Sequence, residues 1–89
     1  MTTFNRWILG EKYVAIAKRL EEIEKKPEME WTEDETKRVV SLLEYEAELD
    51  LELTGYLIQD GDAVGMRIFN QNASYNAGKL WNLKQRLAS

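Results

Sequence analysis

The chain has no cysteine and no histidine, and one proline among its 89 residues. Without cysteine there is no disulfide framework, no thiolate metal site and no thiol nucleophile, and the redox compartment is left open. Without histidine the usual base near neutral pH and the commonest metal ligand are missing. The five glycines, Gly10, Gly55, Gly61, Gly65 and Gly78, are dispersed, so no phosphate-cradling loop forms. Ser41, Ser74 and Ser89 lie in no nucleophile motif. Long apolar runs are lacking too: stretches such as Val14 to Ala17 fall far short of the ~20 residues that span a bilayer. Lys18, Arg19 and Glu21 come too early for a secretory signal. These absences lead us to expect a cytoplasmic, non-enzymatic protein with no cofactor, no metal and no membrane segment.

What the chain does have is polarised charge. Residues 27–62 hold twelve acidic residues against Lys37 and Arg38, a local charge of −10, and the segments on either side are net basic. Apolar residues make up 44% of the chain, well above the disordered class, so one folded domain over residues 1–89 is expected. A domain this small buries roughly 60 to 65% of its unfolded surface, which makes for a lean core.

The apolar residues recur at helical spacing in three segments. Leu9, Tyr13, Ile16, Leu20 and Ile23 form one face of a first helix over residues 4–26, capped by Thr2 or Thr3 and closed by Pro27. Thr32-Glu33-Asp34-Glu35 is a capping-box pattern just before Val39 and Val40, and it starts a second helix over 33–59. Asp60-Gly61-Asp62 breaks that helix, and Asp62 caps a third over 62–87 with the stripe Met66, Phe69, Ala73, Ala77, Leu80, Leu83, Leu87. The expectation is an all-α, antiparallel three-helix bundle. A competing pattern is the strict alternation from Glu44 to Leu53, which would suit a hairpin of residues 49–58 and 63–69 around Asp60-Gly61. Glu, Ala, Leu and Asp form strands poorly, and the capping box leads straight into this stretch. On a helical wheel the second helix is apolar over more than half its circumference, as a central helix packed by two neighbours should be.

Four groups of residues could carry function. Glu46 and Asp50 stand one turn apart inside the apolar arc of the second helix, suggesting half of a carboxylate site or, more simply, two acids reaching solvent to meet Arg19 or Lys84. Glu44, Glu48 and Glu52 form an acidic ridge that could enter a basic protein groove, or serve only solubility and self-neutralisation. Phe4, Trp7, Ile8 and Trp81 lie off the core stripes and could form a partner-binding or dimer patch. Arg67, Lys79, Lys84 and Arg86, with Tyr75 and several amides, are the one basic footprint, but beside a −10 segment they create little field for phosphate, and direct nucleic-acid binding is not expected. The leading expectation is a protein-protein interaction or regulatory module, with a homodimer among its forms. The alternative is a phage- or mobile-element-type inhibitor whose acidic helix fills a basic nucleic-acid-binding groove of a host enzyme. A carboxylate-based enzyme or metal protein comes third.

Overall fold

A computed structural model describes residues 3–89, the side chains of residues 3–5 excepted. The expected caps Thr2 and Thr3 and the aromatic Phe4 therefore lie outside what is described. Three helices follow in order: α1 Thr3–Glu24, α2 Glu33–Asp60 and α3 Ala63–Ala88, with a 3-10 turn at Glu28–Glu30 between the first two. There is no strand among the described residues, and the alternating stretch Glu44 to Leu53 lies wholly within α2. The hairpin is thereby excluded.

Each helix end has a local cause. Pro27 disfavours helical geometry at Lys26, and α1 unwinds at Glu24, two residues earlier than the spacing predicts. At the start of α2 the Glu35 amide donates to Thr32 Oγ1 (3.1 Å) and the Thr32 amide donates to Glu35 Oε1 (2.8 Å), a complete capping box. Gly61 ends α2 at φ 67°, a left-handed conformation that a Cβ disfavours, and its amide and that of Asp62 satisfy the Ile58 and Leu57 carbonyls. Asp62 then accepts from the Gly65 amide (2.8 Å), and the missing Cβ of Gly65 leaves room for that carboxylate to fold over the helix start.

α2 lies in the middle, antiparallel to both neighbours. α1 and α3 each pack on α2 and hardly on one another. The core has two parts. Near the start of α2, Ile23, Trp31, Val39, Val40, Leu43 and Leu83 form a three-helix cluster, with Leu20, Leu80 and Leu87 against it. Toward the other end, Leu9, Ile16 and Leu49 pack with Tyr13, Leu42, Leu53 and Tyr56, all from α1 and α2. The one buried residue of α3 is Leu83. The third helix is thus anchored in the core near its C-terminal end, and its first four turns rest on α2 only half-buried.

The predicted α1 stripe is the observed one. On α2 the expectation is half met: Leu42, Leu49, Leu53 and Tyr56 face α1, but Leu51 (79% exposed) and Ile58 on the far side are covered by neither helix. Ala77, predicted in the α3 stripe, is exposed. Trp31, part of the linker on sequence grounds, is buried in the three-helix cluster, and its indole N–H donates to the Lys26 carbonyl (3.1 Å). The loop after Pro27 so closes one end of the core.

Candidate functional site

Where α1 and α3 diverge, α2 forms the floor of an open valley. A hollow of about 360 Å³ is lined there by Tyr13, Glu46, Asp50, Ile68, Phe69 and Asn76, among others. A second, of about 190 Å³, is lined by Arg6, Leu9, Gly10 and Tyr56 and shares Tyr13, Leu53 and Leu57 with the first. The shared floor makes them one concave surface, apolar at its base.

Two carboxylates sit in this floor. Tyr13 donates its hydroxyl to Asp50 Oδ1 (2.5 Å), which ties α1 to α2. Asn76 Nδ2 donates to Glu46 Oε1 (3.4 Å), a weaker link from α3 to α2. The sequence reading paired these acids with Arg19 or Lys84. The actual partners are neutral, because both acids point into the valley, while Lys84 pairs with Glu44 (2.7 Å). Burial first, and then the charge of Asp50, raises the Glu46 carboxyl above the usual carboxylate range, against an opposing pull from Lys79. Burial, the Asp50 hydrogen bond and the charges of Asp50, Glu46 and Glu52 push the Tyr13 hydroxyl well above its ordinary value. Tyr13 therefore acts as a proton-bearing donor across the physiological range. No group of three or more metal-ligating side chains occurs among the described residues.

The acidic ridge does not stand free along its length. Glu44 is held by Lys84, leaving Glu48 and Glu52 exposed without an ion pair among the described residues. Four of the six ion pairs described join a cation of a basic flank to a carboxylate of the acidic middle: Arg6 to Asp60, Lys26 to Glu35 (2.7 Å), Lys84 to Glu44 and Arg86 to Glu28. Four of the twelve carboxylates of the acidic middle are thus neutralised by the flanks. The same pairing draws on the basic footprint of α3: Lys79, Lys84 and Arg86 are bonded to Glu24, Glu44 and Glu28, and only Arg67 of that set has no ion pair among the described residues.

The aromatic patch is not one patch. Trp7 follows Arg6, which pairs with Asp60 at the end of α2, whereas Trp81 lies near Lys84, which pairs with Glu44. These anchors are sixteen residues apart on α2 and the tryptophans lie one and three residues inward of them, so about 18 Å separates the two along the bundle axis. Both are exposed, and Ile8 is half-buried.

Compared with protein-family models, with curated proteins and with solved structures, the chain matches none.

The surface that sequence reasoning missed is a second face of α3. Val64, Ile68, Gln71, Tyr75, Gly78 and Asn82 recur at spacings of four and three, the 3.5-residue repeat of a helix-pairing seam. All six are exposed, with Val64 at 67%, Ile68 at 55% and Tyr75 at 71%. Ile68 also lines the larger hollow of the valley and so edges it, whereas Tyr75, Gly78 and Asn82 line a separate hollow of about 680 Å³ together with Glu24, Lys26, Glu28 and Trp31. Its spacing was visible in the sequence, but the inner stripe, richer in leucine, drew the assignment.

Proposed function

We propose that this protein acts by binding another protein through the open side between α1 and α3. One observation carries the reading. The chain exposes 6382 Å², whereas a compact monomer of 10.4 kDa exposes about 5,400 Å². Its radius of gyration is 14.5 Å, against about 12 Å for a compact domain of this length. The surplus of roughly 1,000 Å² is comparable to the about 800 Å² that one partner buries in a standard interface. Exposed Ile68 edges a concave floor of mixed apolar and polar lining, and Val64 and Tyr75 continue its face of α3, the kind of surface on which a helix docks.

A role in assembly or regulation follows from binding rather than from catalysis. The inhibitor reading has less support, because one of the three ridge carboxylates, Glu44, is already bonded to Lys84. The test is capture from cell extract by the immobilised wild-type chain and by Ile68→Lys and Asn72→Lys, both lining the valley, and Leu51→Lys. A protein retained by wild type and by Leu51→Lys but lost by the two valley variants supports the reading. Retention that survives both valley variants, or is lost only in Glu48→Lys and Glu52→Lys, moves the binding site to the acidic ridge.

A further inference from the structure

We infer that the outer seam of α3, which edges the valley at Ile68, is covered by a second copy of the same chain, docked by its own α3 in antiparallel orientation about a two-fold axis near Gln71. The inference rests on the binding role of the open face and names its partner.

A seam at heptad spacing is the form in which helices pair with helices. This one is uncharged at every position, and the charged groups beside Tyr75, Gly78 and Asn82 are of both signs: Glu24, Lys26, Glu28 and Lys79. The rival exposed stripe on α2, Leu51 and Ile58, is flanked by Glu44, Glu48 and Glu52, and pairing two copies there would set acidic ridges side by side. α3 contains no acidic residue, and three of its four cations are already bonded within the chain, so little repulsion opposes its self-pairing.

The order of residues along the seam favours the antiparallel arrangement. Centred on Gln71, it sets Val64 level with the partner's Gly78 and Ile68 level with the partner's Ser74, one residue from the partner's Tyr75. A branched side chain then meets the gap above a glycine, and a large aliphatic side chain comes beside an aromatic ring. Open space surrounds the position a Gly78 Cβ would take, so the gap is real in the single chain. A parallel pair would instead set glycine against glycine and leave a void. The two Gln71 amides meet at the axis, where each can donate to and accept from the other, and a lone polar pair in an apolar seam fixes the register. The seam is one part of the roughly 1,000 Å² by which this elongated chain, 41 × 21 × 19 Å, exceeds the exposed surface of a compact monomer, against the about 800 Å² that a standard interface takes from each partner.

The absence of cysteine makes the test direct. Gln71→Cys, Val64→Cys, Gly78→Cys and, as the control on the α2 face, Leu51→Cys are oxidised separately and in mixtures with oxidised glutathione. A disulfide needs Cα atoms about 4.4 to 6.8 Å apart, so a pair at the axis should give roughly tenfold more linked dimer than the control. The expected result is efficient linkage of Gln71→Cys to itself, and of Val64→Cys to Gly78→Cys in preference to either with itself. Preferential self-linkage of both Val64→Cys and Gly78→Cys would overturn the antiparallel register. Linkage of Leu51→Cys equal to that of Gln71→Cys would overturn the α3 interface. If no variant links while the capture experiment still returns a valley-dependent protein, the second copy is refuted and the binding role stands.

Discussion

Leu83 and Ile68 are both large aliphatic residues on α3, fifteen positions apart, and the fold assigns them opposite work. Leu83 is 0% exposed and packed among Ile23, Trp31, Val39, Val40 and Leu43; it is the one fully buried residue of α3, with Leu80 and Leu87 against the same cluster. Truncation to alanine removes the transfer energy of the lost methyl groups and leaves a cavity between three helices, at a cost of about 3 to 4 kcal/mol. A domain of this length has roughly 4 to 13 kcal/mol in all, so Leu83→Ala should lower the melting temperature by more than about 12 °C or leave α3 detached. Ile68 is 55% exposed, and alanine's higher helix propensity offsets part of what is lost. In a single chain Ile68→Ala should therefore cost less than about 1 kcal/mol. Urea unfolding followed by far-UV circular dichroism, at low micromolar and at several hundred micromolar protein, separates the two. The Leu83→Ala deficit should not depend on concentration. The Ile68→Ala deficit should grow with concentration, because the wild-type dimer gains stability by mass action and the variant does not. Equal deficits for the two variants at low concentration, or a Leu83→Ala cost below about 1 kcal/mol, would refute the division of α3 into a core-facing and an outer face.

Three further outcomes follow. Thr32→Ala breaks the capping box that Thr32 shares with Glu35 and should cost about 0.5 to 2 kcal/mol, read as a lower denaturation midpoint at unchanged slope. Glu46 has a raised pKa in the fold, so its charged form is disfavoured there; stability should rise as pH falls through that raised value toward the unfolded value of about 4.3, and Glu46→Gln should abolish this rise and add about 0.2 to 0.5 kcal/mol at pH 7, seen in melts across pH. Gly55→Ala and Gly78→Ala fill open space on helices and should each stabilise the single chain by roughly 0.5 to 1 kcal/mol, yet Gly78→Ala should also weaken self-association, measured by dilution.

Much of the fold was legible in the residue order. The capping box at Thr32, the stop at Gly61 and the α1 stripe each rest on a few neighbouring residues, so they survive without knowledge of the tertiary structure. Trp31 was not legible, since it belongs to no periodic stripe and enters the core only because the chain after Pro27 turns it toward the Lys26 carbonyl. Glu46 and Asp50 were found as a pair, but their partners depend on how α1 and α3 diverge over α2, which spacing does not encode. The supposed union of Trp7 and Trp81 fails for a topological reason: in an up-down-up bundle the start of the first helix and the end of the third lie at opposite ends. The outer seam of α3 carries a readable repeat, but Gln71 and Asn82 interrupt its apolar character, and the stronger inner stripe masks it.

Sedimentation equilibrium of the wild-type chain beside Ile68→Lys and Leu51→Lys decides whether the chain associates through α3 at the edge of the valley. The expected result is a concentration-dependent mass approaching twice the 10.4 kDa chain for wild type and for Leu51→Lys, and a single-chain mass for Ile68→Lys with its helical spectrum intact. A wild-type chain that stays at 10.4 kDa at several hundred micromolar, or a dimer that Leu51→Lys dissociates and Ile68→Lys leaves whole, would contradict it.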